Sequence, residues 1–237
     1  LDLILIINFK MGVAGAAWAT NLSQAISAVL CAVYIYKKVP ALMPEKRHWR
    51  FHKGDTRYQL ATGIPMALQF AITSSGTMVM QSAINLFGSE AVAAYTAAGK
   101  IHGLLTQGMV AMGQTMAVYS GQNYGKGDAG RIRQGVRAAL IIEVIYSVAS
   151  AVVVSAALGP SLGLFFSGEV DLAAMMPWAR TYTTICTLFY VPLCTIFIFR
   201  NTMQGCGYGF LPMMGGVVEL AARLIVAVIA MDIHSYW

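Results

Sequence analysis

Charge is what this sequence has least of. Only 11% of its 237 residues are Asp, Glu, Lys or Arg, against about 25% in a soluble domain. Hydrophobic residues fill 57% of the chain, and the mean hydropathy is +0.63. This scarcity excludes an ordinary cytosolic enzyme, a disordered tail and a nucleic-acid-binding domain, and it leaves an integral membrane protein. Cysteine is sparse too. Cys31, Cys186, Cys194 and Cys206 form no CxxC pair and have no histidine nearby at metal spacing. They read as reduced, small, buried hydrophobes. Catalytic signatures are missing: there is no GxSxG, no P-loop and no HExxH. His48 and His52 stand four apart, but in a basic loop without a third ligand, so neither a metal site nor an enzyme is expected.

Long apolar runs are abundant instead. A bilayer core of roughly 30 Å needs about 20 apolar residues of helix. Six stretches meet this, at about 12–36, 59–87, 91–119, 134–158, 178–199 and 210–231, and residues 1–9 read as the stub of a further helix. The expected fold is all-α, a polytopic membrane protein of about six transmembrane helices plus a stub. Pro65 and Pro192 are expected to interrupt their helices, whereas Pro212 suits the first turn of the last one. Both ends of the sequence fall in apolar runs, so it is expected to be a piece of a longer chain.

The loops set the orientation. Residues 36–57 carry Lys37, Lys38, Lys46, Arg47, Arg50, Lys53 and Arg57. The next loop on the same side carries Lys126, Arg131, Arg133 and Arg137, and Arg200 stands beside the Gly-rich turn near residue 205. The opposite side holds Asp2, Glu90, Glu169, Asp171 and Asp232, against Lys10 and Arg180. The bias makes the basic loops cytoplasmic. The basic stretch after residue 37 reads as a linker between two helical groups, its charge serving topology rather than lipid binding.

Ionisable groups within apolar helices are costly and are functional candidates by default. Lys100 and Glu143 both fall near the middle of their helices and are candidates for a cargo or proton site. Glu143 has no charged neighbour at helical spacing. Its carboxyl is expected to reach another helix, with Lys100 the suggested partner, or to face a cleft. Glu219 and Arg223 stand four apart, acid first, and are expected to form a structural ion pair. Gln69, Thr73, Thr77 and Gln81 are also spaced by four and share a face. That face suits the wall of a wet cavity as well as tight helix packing. Fourteen Met and eleven Tyr offer adaptable apolar surface.

Several of these segments resemble one family in order. Gly12-Val13-Ala14-Gly15-Ala16-Ala17-Trp18-Ala19-Thr20, followed by Ser23-Gln24, is similar to the sixth-helix motif of the multidrug and toxic compound extrusion (MATE) family. Gly63-Ile64-Pro65 resembles the opening of its seventh helix, and Asn85-Leu86-Phe87-Gly88 with Ala93-Ala94-Tyr95 its seven–eight junction. Gly121-Gln122-Asn123-Tyr124-Gly125 with Arg131 resembles the eight–nine loop, and Arg200-Asn201-Thr202-Met203-Gln204-Gly205-Cys206-Gly207 the ten–eleven turn.

The resemblance implies twelve helices in two six-helix lobes, of which this chain spans the end of helix five to helix eleven. Residues 1–37 would end the first lobe, 38–57 form the basic linker, and 58–237 belong to the second lobe. It also implies a multi-pass protein of the cell membrane that exports small organic, often cationic, compounds in exchange for H+ or Na+, without a cofactor. The remaining helices of the same parent chain would be its partners, along with the lipid bilayer, and no nucleic acid is involved. The acid that many members carry in the first helix would lie outside this chain. The glutamate that some carry in helix seven has no counterpart near Gln69. Two alternatives stand beside antiport: a lipid-linked saccharide flippase of the same superfamily, and a scaffold subunit that transports nothing.

Overall fold

The structure, a computed structural model, describes residues 4–8, 10–39, 52–165 and 172–235. Asp2, Lys46, Arg47, His48, Arg50, Glu169 and Asp171 lie outside the described residues, so most of the expected linker does too. The chain divides into two compact units, Leu1–Lys53 and Gly54–Trp237.

In the first unit a π-helical turn, Ile4–Asn8, precedes α1, Gly12–Lys38. The backbone of the turn meets α1 at Gly15. A Cβ on Gly15 would stand 3.2 Å from the Leu5 carbonyl. Only Gly15 and Ala19 are buried on α1. Cys31, expected inside, is exposed, because no described residue of this unit covers that face of the helix.

The second unit contains α2 (Lys53–Ile84), α3 (Ser89–Gly125), α4 (Ala129–Phe165), α5 (Leu172–Leu188), α6 (Tyr190–Gly205) and α7 (Phe210–Ser235). Among the described residues, Gly12–Lys38, Ala129–Pro160 and Phe210–Asp232 are long and apolar enough to cross a membrane. The bent pair Met175–Leu188 and Tyr190–Gly205 makes a fourth span. Helices α2 and α3 were expected to read as spans as well. They are long enough, at 32 and 37 residues. Their many Gln, Ser and Thr side chains leave them less apolar than the other helices.

The expected single helix over 178–199 is broken. It ends at Leu188 and restarts at Tyr190, with a bend of 49°. Pro192 supplies the reason. It has no N–H for the Leu188 carbonyl, and its ring crowds that carbonyl four residues back. Pro65 behaves otherwise, since α2 runs through it without interruption.

Helices α3, α4, α5 and α6 form the packed core. One layer joins Ala94, Ala97 and Ala98 of α3 to Leu158 of α4 and to Met175 and Ala179 of α5. The next holds Met109, Tyr190 and Cys194, and a third Met116, Ala139 and Ile198. Small residues let the backbones approach closely. The tightest point is the crossing of α3 and α6. A Cβ on Gly205 would fall onto the Ala117 carbonyl, and one on Gly121 would lie 3.0 Å from the Gly205 carbonyl oxygen. Two tyrosines lock α3 against α4: Tyr119 Oη donates to the Arg131 carbonyl at 3.0 Å, and Tyr146 Oη to the Leu105 carbonyl at 2.7 Å. The start of α2, the end of α3 and the α6–α7 turn meet at the basic end of the unit. There the Tyr124 and Tyr208 rings stand 6.4 Å apart, and a Cβ on Gly207 would lie 2.9 Å from Tyr58 Oη.

Candidate functional site

A cavity of about 380 Å³ opens between α2, α3, α5 and α7. Thr77 and Met80 line it from α2, Tyr95 from α3, Tyr182 from α5 and Arg223 from α7. The Tyr95 and Tyr182 rings meet edge to face at 5.1 Å. Arg223 is held by Glu219 in the ion pair expected from their spacing. Its other terminal nitrogen, Nη1, donates to the Thr73 carbonyl at 3.4 Å, so the pair ties α7 to α2. Gly76 permits this approach: a Cβ there would lie 2.9 Å from Arg223 Cδ. Two aromatic rings, a thioether and a hydroxyl beside a neutralised ion pair suit a planar organic guest, which rings can stack on and hold by cation–π attraction.

The face of α2 that the spacing of four picked out does not act as one surface. Its buried stripe is Gln69, Gly76 and Ala83, spaced by seven. Gln69 is packed against α6 rather than lining a cavity. Turned so that its carbonyl faces Arg200, its amide accepts from Nε at 3.2 Å and Nη1 at 3.1 Å. In the other orientation its oxygen instead accepts from Gln204 Nε2 at 2.7 Å. Arg200 also lies over the Phe197 ring, 5.0 Å from its centroid. Thr73 contributes its backbone, and Thr77 lines the cavity while its hydroxyl donates to the Ser74 carbonyl at 2.7 Å. Gln81 Nε2 donates to Asn85 Oδ1 at 3.1 Å, near the end of the helix.

Behind Tyr182 lies a buried polar interior. The Tyr182 ring packs on His102 at 5.3 Å, and His102 Nδ1 is hydrogen-bonded to Tyr190 Oη. His102 Nε2 is buried without a partner. Glu143 is 3% exposed, and its Oε2 has no hydrogen-bond partner. The hydroxyls of Ser147 and Thr183 are likewise buried and unpartnered. Glu143 shares a face of α4 with Ala139, which packs on Met116 and Ile198, and lies one turn from Tyr146, which packs on Met109 and Tyr190. The carboxyl therefore points into the α3–α6 interior and not into an open cleft. Buried polar atoms left unpaired are rare and each needs a reason. Such orphaned polar atoms inside the α3, α4 and α5 packing suit a proton or a small cation.

The expected reach from Glu143 to Lys100 does not fill Oε2. The two tyrosine bonds between α3 and α4 fix an antiparallel register. It sets Lys100 level with about Ser150, roughly 10 Å along the axis from Glu143. Lys100 itself is exposed. His102 is the residue that the sequence reading missed, having weighed the histidines only as metal ligands. The signal was available: His102, Met109, Met116 and Asn123 recur every seven residues along the buried stripe of α3, so an ionisable ring had to point inward.

The family model described as MatE matches residues 65–229. The probable multidrug resistance protein YpnP of Bacillus subtilis (strain 168) is 32% identical over 126 residues, which are 52% of this chain and 27% of that protein. The probable multidrug resistance protein YoeA of the same organism is 25% identical over 139 residues, 57% of this chain and 30% of that protein. Among solved structures, the outward-facing conformation of a multidrug resistance MATE family transporter of the MOP superfamily superposes with a TM-score of 0.81 at 20% identity, over 92% of this chain and 48% of that one. A MOP superfamily transporter from Pyrococcus furiosus Vc1 (DSM3638), described as having a binding pocket of reverse polarity, gives 0.80 at 17% identity over all of this chain and 58% of that one. At these identities the solved structures speak for the fold alone. The matched segments span under a third of the two curated relatives.

Proposed function

Because the chain belongs to the MatE family, whose model covers residues 65–229, we propose that it is part of a secondary antiporter exporting organic, often cationic, compounds across the cytoplasmic membrane in exchange for H+ or Na+. In this reading residues 1–37 end one lobe, 38–57 link the lobes and 58–237 form most of the other. The rest of the parent chain supplies the missing helices, since the chain spans about half of the first solved transporter. The observation that carries the reading is the cavity walled by Tyr95, Tyr182 and Met80 beside the Glu219–Arg223 pair. The pair removes the free positive charge that would repel a cationic guest. The same neutralisation weighs against a saccharide-phosphate flippase, which needs unpaired cations to hold phosphate.

The buried polar groups behind the cavity suit the coupling ion. Tyr182 lines the cavity and packs on His102, and His102 and Glu143 hold buried atoms without partners. A guest pressing on Tyr182 would be felt at His102 through their ring contact. Efflux of a fluorescent cation by the whole transporter tests the cargo site. Tyr182→Ala should raise KM about fivefold to tenfold, the weight of one aromatic contact with a cation, with expression unchanged. Unaltered KM and rate would remove the cavity from the cargo path.

A further inference from the structure

A second cavity of about 550 Å³ lies between α4 and α6 at the basic end of the unit. Its upper wall carries Arg133 and Arg137, one turn apart on α4 and both exposed. Its lower wall is apolar, formed by Val136, Leu140 and Phe199. Like charges at this spacing repel each other, and among the described residues neither arginine makes an ion pair. Thr202 lines the same groove from α6. It is 8% exposed, yet its hydroxyl has no partner. Helical threonines usually return their hydroxyl to a carbonyl of the preceding turn, as Thr195 does to Val191 at 2.9 Å. Thr202 instead keeps an unpartnered hydroxyl buried at the wall of the groove.

We propose that this groove binds one anionic phospholipid of the cytoplasmic leaflet. Its phosphate sits between Arg133 and Arg137, the Thr202 hydroxyl donates to a phosphate or ester oxygen, and an acyl chain lies along Val136, Leu140 and Phe199. Three features select this occupant. Paired guanidinium groups match a phosphate. The positive-inside bias puts this end of α4 at the leaflet that carries anionic lipid. The apolar wall continues from the arginines along α4 towards the membrane core, which a free phosphate would leave unused.

The test is native mass spectrometry of the full chain, stripped of lipid in detergent and titrated with phosphatidylglycerol or phosphatidylcholine. One phosphatidylglycerol should be retained in preference to phosphatidylcholine. Arg133→Gln with Arg137→Gln should weaken that retention about thirtyfold, the effect of two arginines at an anionic surface. Lys37→Gln with Lys38→Gln should leave it unchanged, and Thr202→Val should weaken it about threefold to tenfold, one hydrogen bond's worth. Should the double arginine variant not fold, the lipid preference of the unaltered chain and the Thr202→Val effect still decide. Equal retention of both lipids, or of phosphatidylglycerol by the arginine variant, would overturn the proposal. So would displacement of the lipid by millimolar inorganic phosphate, which would mark a free-phosphate site, and so would occupancy of the groove by a co-purifying protein.

Discussion

Glu219 and Glu143 are both carboxylates within helices, and their surroundings separate their roles. Glu219 has Arg223 within ion-pair reach, and the two side chains are 37% and 29% exposed. Removing one partner should cost between about 1 kcal/mol, as for an exposed pair, and about 3 kcal/mol, as for a buried one. Glu219→Ala and Arg223→Ala should each lower the melting temperature and folded yield in size exclusion, and the double change should recover much of both. Glu143 has a buried oxygen without a partner, so Glu143→Gln keeps the shape and removes only the capacity to gain and lose a proton. In the whole transporter this change should preserve folded yield and abolish the dependence of efflux on its ion gradient. The ion whose gradient ceases to matter identifies the coupling. Normal coupled efflux by Glu143→Gln would reverse the assignment. Gly205 offers a purely steric contrast. Its hydrogen faces the Ala117 carbonyl, so Gly205→Ala should destabilise by about 1–3 kcal/mol or more, as overpacking does, visible as a lower melting temperature.

The bend between α5 and α6 follows from one residue. Pro192→Ala restores an N–H for the Leu188 carbonyl. Spin labels replacing Trp178 and Met203 should then move apart as the 49° bend opens, and an unchanged distance would transfer the cause to packing around Phe189. The sequence carried each helical stretch but not the break that splits the fifth into α5 and α6, because length and hydropathy are summed over some twenty residues and pass over a local exception. The helices run past the apolar stretches, as α2 begins at Lys53 and α4 at Ala129, since a basic first turn in water is as helical as the turns within lipid. Site chemistry was less legible. The Glu219–Arg223 pair was readable because both partners lie on one helix. Contacts such as Gln69 with Arg200, or Tyr190 with His102, join residues 88 or more positions apart in the chain. Such contacts depend on which helix lies beside which, and spacing along one helix does not encode that.

The first solved transporter is about twice as long as the part of it that this chain covers; on the proposed two-lobe reading, the other lobe supplies the wall that faces the cavity. Reconstituted alone in liposomes, the 237 residues should not move a fluorescent cation against an ion gradient. Sustained uptake with monomeric protein would refute the two-lobe reading. Within the second unit, attachment is uneven. The α3–α6 core meets in apolar layers, while α2 is joined through Gln69 and the Arg223 guanidinium. Where α3 crosses α6, main chain rests on main chain at Gly205 and Ala117. Such a joint has no side chains to re-rotate, so it can neither slide nor loosen by repacking. It acts as a rivet. Displacement of the Tyr95 end of α3 must be carried through it to the groove end of α6, which makes the pair a lever with a fixed fulcrum, stiff by construction.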